Sequence, residues 1–355
     1  VKRAVFVLIS SLFCSYLFAQ HTEEAENLVR EGVSLEDSGK SELAITQYQR
    51  ALDLDKDNLM ALTEMAYSLL SVGQYEEVIK YCKKAIKTHK GEEDLKIVYV
   101  SYGNAYDMLK KTDKSIGIYD EGIRLFPEYF QLYYNKGVSL SGENKNEEAI
   151  TCFQKSATLN PNHASSHNAI GNLLLLNNQK VPALLAFCRF LAIEPESKRS
   201  GTGLENVHKI MDGNVSVSEK KSITVNISPD MLEENMKNGK QKSNNFSSTE
   251  LLLAVSAGLA YDSSNRNKTE VEQFKGRFEA ICGSLKETEK DNYGFYWDYY
   301  VPYFTDMNDK GLIETFSYLA FASSGDPDVL EWLKSHKTEI SNFYKWSDAF
   351  AWRIN

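Results

Sequence analysis

The sequence predicts an all-α fold: a solenoid of about five helical repeats followed by a small helical domain. Three observations carry this. Gly103, Gly137 and Gly171 stand 34 residues apart, as do Pro127, Pro161 and Pro195. Between them Ser115, Ala149 and Ala183 keep the same step, and so do Tyr119, Phe153 and Phe187. Each period also holds two amphipathic runs; Ala44, Tyr48, Ala51 and Leu52, for example, recur at i, i+4, i+7 and i+8, the spacing of one helix face. A fixed period of this size marks a solenoid, in which every repeat buries its apolar face against the next.

The first residues differ from all that follow. Lys2 and Arg3 precede an almost wholly apolar run from Ala4 to Phe18, and Ala19 offers a small side chain before the polar Gln20, His21, Thr22 and Glu23. That order is the layout of a secretory signal peptide over 1–19. The run is shorter than the ~20 residues that span a bilayer as a helix, so cleavage is expected rather than retention as an anchor. Bulky Phe13 ahead of Cys14 argues against a lipoprotein signal. Val1 fits an alternative bacterial start codon. The expected location is periplasmic or secreted, in a bacterium.

Five units follow, at about 25–58, 59–92, 96–129, 130–163 and 164–197, with a three-residue insertion near Glu93 to Leu95. The first two show the pattern as Gly32, Ala44, Tyr48 and Ala51, then Ala66, Val78, Cys82 and Ala85. Small residues let two helices approach closely, and the aromatic one turn later fills the space where they diverge. Proline ends the second helix because the residue before it disfavours the α conformation. Gly39 and Gly73 suit the turn inside the hairpin. In the last unit Phe190 takes the small-residue position of Ala51 and Ala85, so the array is expected to end there, with Ser200 to Met211 as a terminal cap.

These units resemble tetratricopeptide repeats in period, in helix–turn–helix form and in the order of small, aromatic and proline residues. They depart from that family at the Trp common near the start of a unit, where this chain has Leu28, Leu62, Tyr99, Tyr133 and His167, and Lys56 and Lys90 stand where later units have Pro. The resemblance implies that the first helices line a groove binding a segment of a partner protein. By register it places Tyr67, Asn104, Tyr134, Asn135, Asn168 and Asn172 on that groove. Asn brings a donor and an acceptor to a peptide backbone, and Tyr brings flat apolar area with little entropy to lose. Arg30 is the one basic groove residue, so a carboxylate clamp is not implied.

From Lys198 to 246 a capping helix gives way to a polar linker, in which Val215, Val217, Ile223, Val225 and Ile227 alternate with polar residues and favour a short hairpin. Sequons beginning at Asn214, Asn226, Asn245 and Asn267 match what chance gives in a chain rich in Asn and Ser. The segment 247–355 reads as an aromatic-rich helical domain. Ser247 and Glu250 have capping-box spacing. Val271, Phe274, Phe278, Ile281 and Leu285 form one stripe, and Asp326–Pro327 starts another helix. Of the eight aromatics from Tyr293 to Phe304, the first expectation is a core, with a partner interface or a sugar platform as alternatives. The combination also resembles exported repeat proteins of Bacteroidetes-type bacteria, a likeness that supplies no activity.

Composition excludes several classes. The net charge is −9, or −11 without Lys2 and Arg3, and no basic stripe exists for nucleic acid or a membrane surface. Cys82, Cys152, Cys188 and Cys282 form no C-x-x-C pair, which leaves a zinc ribbon or redox motif unsupported. Cys82 occupies the aromatic core position. His163 and His167 are four apart, but one falls in a turn and no third ligand is evident. No G-x-S-x-G, H-E-x-x-H or P-loop occurs, so no catalytic residue, metal or cofactor is expected. The reading is an exported, non-enzymatic scaffold that holds a protein or peptide segment in its groove. The alternatives are a cell-envelope carbohydrate-binding protein using the C-terminal aromatics, and a self-associating structural protein.

Overall fold

A computed structural model of the chain describes residues 22–213, 215–217, 223–225, 243–259 and 268–352. The signal-peptide segment, Ile227 and the sequons at Asn214, Asn226 and Asn267 lie outside the described residues. The described chain is helical almost throughout, as its sequence predicts, and divides into two compact units at Cys152/Phe153.

The first unit is a row of helix pairs. Helix α1 covers 22–37, followed by α2 (Ser41–Leu54), α3 (Leu59–Ser71), α4 (Tyr75–Thr88), α5 (Leu95–Met108), α6 (Thr112–Leu125), α7 (Phe130–Gly142) and the opening turns of α8 (Asn146–Leu159). The 34-residue pattern acts through one contact per repeat. The Tyr119 ring lies against Gly103 so closely that a Cβ there would meet it at 2.2 Å, and Tyr48 lies against Gly32 in the same way, at 2.4 Å. The second repeat makes this contact with smaller groups: Ala66 adds a methyl where the others have Gly, and Cys82 replaces the aromatic ring. Both are fully buried. This is the packing role expected of Cys82.

The turn inside each hairpin recurs as well. Gly39, Gly73, Lys110, Asn144 and Asn178 all have φ between 55° and 78°. Gly is the cheapest residue there and Asn the next; Lys110 adopts the same conformation without either advantage. First helices pack on first helices of the next repeat, α3 on α5 and α5 on α7, which leaves each with one uncovered side.

The second unit contains the rest of α8, then α9 (Ala164–Leu176), α10 (Lys180–Ile193) and α11 (Lys198–Asp212). A short antiparallel hairpin follows, β1 (Val215–Val217) and β2 (Ile223–Val225), with Val215 opposite Val225 and Val217 opposite Ile223. The remaining helices are α12 (Ser247–Leu259), α13 (Glu270–Thr288), α14 (Phe295–Asp309), α15 (Ile313–Ala320), α16 (Pro327–Ser335) and α17 (Lys337–Ala349). Thr269 and Glu272 form a full capping box ahead of α13, and Asp326 caps α16 with Pro327 in its first turn.

Helix α10 organises this unit. Its twelve residues from Val181 to Ala192 are all buried, because α9, α11, α12, α14 and α15 pack around it. A helix apolar on every side is stable only when covered on every side. Phe190, the large residue at a small-residue position, is accommodated by Gly203 of α11, where a Cβ would meet its ring at 2.7 Å.

Candidate protein-binding groove

In α3 the buried residues are Ala61, Leu62, Thr63, Met65, Ala66, Ser68 and Leu69. Met60, Glu64, Tyr67 and Ser71 are left on the open side at steps of three and four, one helix face. Helix α5 leaves Ile97, Val100, Asn104 and Met108 in the same way, and α7 leaves Tyr134, Asn135 and Val138. The sequence-derived residues Tyr67, Asn104, Tyr134 and Asn135 therefore share the open face of the first unit. Asn168 and Asn172 lie on α9 in the second unit.

This face is more apolar than a solvated helix row needs to be. Met60 is 57% exposed, Tyr67 54%, Met108 53%, Val138 43% and Ile97 39%. A single exposed apolar side chain is ordinary, whereas a recurring row is the kind of surface found at interaction sites. The polar groups between them are partly committed. Asn104 Oδ1 accepts the Tyr119 hydroxyl at 2.6 Å, so its amide N–H groups are what it can still offer. Asn135 Nδ2 donates to the Gln131 carbonyl at 2.8 Å, which leaves its oxygen to accept. One amide thus presents a donor and the other an acceptor. Gln131 Oε1, on the same helix, is buried with no partner among the described residues, which carries a cost.

In the second unit Asn172 Nδ2 donates to the Asn168 carbonyl at 2.9 Å, and Asn206 of α11 reaches Asn172 Oδ1 at 3.4 Å. Asn206 stands 34 residues after Asn172, and Arg199, 34 after Ser165, donates to it at 2.9 Å. The capping helix thus continues the repeat register. The period alone, carried one step past Pro195, is enough to find Asn206.

The aromatic segment is a core. Tyr296, Trp297, Tyr299, Tyr300, Tyr303 and Phe304 are buried, while Phe295 is half-buried and Tyr293 exposed. Trp297 stacks on Phe246 at 4.4 Å and donates its ring N–H to the Asn245 carbonyl. Buried rings offer no face to a sugar, which counts against this segment as the platform of the carbohydrate alternative. Three other rings form a partly open stack that the sequence does not single out. Tyr318, Trp332 and His336 lie parallel at 4.1 Å spacings beside a recess of about 420 Å³, and both faces of the Trp ring are covered.

His163 and His167 do not converge on a common point. His163 contacts Ser166 Oγ at 2.8 Å. His167 is fully buried; its Nε2–H donates to the Pro161 carbonyl at 2.9 Å and Nδ1 accepts the Tyr300 hydroxyl at 2.8 Å. Burial first, then the charge of Arg189, pushes its pKa down to about 3. Arg189 itself is buried. It donates to Tyr303 and Ser347 at 2.9 Å, to Asn162 at 2.7 Å and to the Pro161 carbonyl, with its guanidinium flanked by Tyr303 and Trp352. Among the described residues no group of three His, Cys, Asp or Glu side chains is placed to hold a metal, and no helix is long and apolar enough to cross a membrane.

Comparison with known proteins finds likenesses for the repeats. Residues 25–58 and 130–163 match the family model described as tetratricopeptide repeat. The chain is 29% identical over 144 residues to the Hsp70-Hsp90 organizing protein of Triticum aestivum, covering 40% of this chain and 24% of that protein. It is also 29% identical over 97 residues to a UDP-N-acetylglucosamine–peptide N-acetylglucosaminyltransferase of Giardia intestinalis, covering 26% and 6%. The matched part thus spans under a quarter of either relative. Among solved structures, a thermophilic TPR protein of Thermus thermophilus is similar at 18% identity and a TM-score of 0.46, over 52% of this chain and 99% of that one.

Proposed function

Taking the repeats as tetratricopeptide repeats, we propose that this chain is an exported, non-catalytic scaffold that holds a segment of another envelope or secreted protein on the first-helix face. The observation that carries the reading is the recurring apolar row of the first unit, Met60, Tyr67, Ile97, Met108 and Val138, interleaved with the amides of Asn104 and Asn135. Such a row suits an apolar or amphipathic segment, and the amides suit its backbone. The likeness to an Hsp70-Hsp90 organizing protein supports a scaffolding role, and the basic–apolar–small order of residues 1–19 supports export.

A photo-crosslinking amino acid placed at Met60, with a control at Leu43 on the second helix of the first repeat, tests the groove. The reading expects one partner segment joined at Met60, absent at Leu43 and depleted in a Tyr67→Ala, Asn104→Ala background. Equal crosslinking at both positions would sink it. N-terminal sequencing of the chain recovered from its host tests export, which predicts a first residue of Gln20.

A further inference from the structure

The recess beside the Tyr318, Trp332 and His336 stack lies wholly in the second unit. Its walls come from three helices: Leu312, Glu314 and Thr315 open α15, Trp332 and His336 close α16, and Glu339 stands in the first turn of α17. Its volume of about 420 Å³ falls in the range of roughly 300–1,000 Å³ over which small-molecule sites are found. The two carboxylates alone would indicate no ligand, because the helix dipole favours an acid in the first turn of any helix. They do set the sign of the recess. No Lys or Arg lines it. Glu314 meets Lys275, which is not part of the lining, at 3.2 Å, and Glu339 takes part in no ion pair among the described residues.

Thr315 is a separate observation. It is 6% exposed, yet its hydroxyl makes no hydrogen bond among the described residues. Nearby hydroxyls show the ordinary outcome in a helix: Thr305 and Ser317 each donate to the carbonyl four residues back, at 3.0 and 2.7 Å. Thr315 does not. Trp332 repeats the contrast. The indole N–H groups of Trp297 and Trp346 are donated to the Asn245 carbonyl and the Asp306 carboxylate. That of Trp332, on the wall of the recess, has no acceptor among the described residues. His336 donates Nδ1–H to the Trp332 carbonyl at 2.9 Å, which leaves Nε2 of the neutral ring as an acceptor. A buried hydroxyl with nothing to bond is costly, and here it shares a wall with a second unused donor.

We propose that the recess binds an amino sugar, whose ammonium group faces the carboxylates of Glu314 and Glu339 and whose hydroxyl oxygens accept from Thr315 and Trp332. Each simpler class leaves part of the wall unmatched. An anion is repelled by the two carboxylates. An alkylammonium ion brings donors only and cannot accept from Thr315 or Trp332. A neutral sugar matches the hydroxyl and the indole but leaves the carboxylates without a counter-charge. An amino sugar brings donors, acceptors and a positive charge on one small ring. Both faces of Trp332 are taken by Tyr318 and His336, so recognition runs through polar groups rather than through stacking on that ring. The site shares no residue with the groove of the first unit and does not depend on it.

The full chain is titrated with D-glucosamine, with N-acetyl-D-glucosamine, which has the same ring but no charge, and with butylamine, which has the charge but no hydroxyl. The Trp332 indole N–H resonance, assigned by its loss in Trp332→Phe, reports binding, and calorimetry gives the affinity. Glucosamine is expected to shift that resonance saturably and to bind about fivefold or more tighter than either analogue. Glu339→Gln is expected to weaken glucosamine about fivefold and to leave N-acetylglucosamine unchanged. Thr315→Val keeps the shape of the side chain and has no hydrogen bond to lose. It should unfold at the same urea concentration as the wild-type chain yet bind glucosamine about fivefold more weakly. The linked disaccharide of glucosamine separates two sources: tighter binding than the monomer assigns the site to the end of a glycan chain, equal or weaker binding to the free sugar. No saturable shift with glucosamine, equal or tighter binding of either analogue, or full binding by either variant overturns the proposal.

Discussion

Arg189 donates a hydrogen bond to the hydroxyl of Tyr303 while its guanidinium lies 4.7 Å from the centre of the same ring. Among the described residues no carboxylate pairs with this cation; it is held by hydroxyls, an amide, a carbonyl and aromatic faces. Its removal should be costly for that reason. Arg189→Ala is expected to destabilise the second unit by about 3 kcal/mol, since it removes two buried and two part-buried hydrogen bonds together with the packing of the guanidinium between Tyr303 and Trp352. Arg189→Lys, which keeps the charge but not the planar fork, should recover only part of this. Trp297, Trp332, Trp346 and Trp352 are the chain's four tryptophans and all lie in the second unit, so urea unfolding followed by fluorescence reads that unit alone.

The pKa of His167 sets an acid limit. The native value is pushed down to about 3, against roughly 6.5 in an unfolded chain. As pH falls below about 6.5 the unfolded state takes up a proton that the native state refuses, so stability declines by up to about 1.4 kcal/mol per pH unit until about pH 3. Above about 6.5 this contribution is complete. His167→Gln keeps a donor and an acceptor but does not titrate, and should show a flatter dependence of the urea midpoint over that window. Parallel curves would refute the assignment.

Two glycines in one helix pair should respond in opposite directions. Gly103→Ala puts a methyl 2.2 Å from the Tyr119 ring, and overpacking of this kind costs about 1–3 kcal/mol. Gly117→Ala, on the exposed side of α6 with nothing within 4 Å of the new Cβ, should gain about 1 kcal/mol from helix propensity. Circular dichroism melting curves compare the two.

Glu64→Gln should stabilise the first unit at neutral pH. The pKa of Glu64 is raised in the native state, so the fold loses stability as pH rises through that value and the carboxylate ionises beside Glu36 and Asp37. The variant escapes this loss. Its advantage over the wild-type chain should shrink as the pH is lowered toward the ordinary carboxylate range and vanish once Glu64 is protonated in both states.

Much of the fold is legible because each repeat solves the same packing problem with the same residues. Gly32 with Tyr48, Gly103 with Tyr119 and Gly171 with Phe187 are contacts written directly into the period. Phe190 at a small-residue position correctly marks a change of environment, and Gly203 is the partner that answers it. The open face is legible through register alone, which places Tyr67, Asn104, Tyr134 and Asn135 on one stripe of the first unit. The capping box expected at Ser247 is one residue out of register with the helix: α12 begins at Ser247 itself, and Asn245 accepts the Ser247 N–H.

Other features depend on what is missing from a position. That the Tyr48 hydroxyl is buried without a partner among the described residues follows from Val33 standing where the third repeat has Asn104, which accepts the Tyr119 hydroxyl, a difference with no signature in apolar periodicity. Arg189 does leave a trace, as the one charged residue in the run from Val181 to Ala192. A lone cation there signals either a buried polar network or an error in the helix assignment. Its partners come from Asn162, Tyr303 and Ser347, and no local pattern brings such distant residues together.

The all-round burial of α10 has a consequence for how this protein can change over generations. Open-ended arrays lengthen by duplicating a unit, because the new copy finds on its neighbour the same face that the old one did. Here the last pair has no such face to offer. A unit inserted after Ile193 would pull α10 away from α11, α12, α14 and α15 and strand an apolar cylinder in water. Growth by duplication is therefore confined to the upstream repeats, and lineages descended from this chain should differ in the number of repeats before Ala164 while keeping everything after it at constant length.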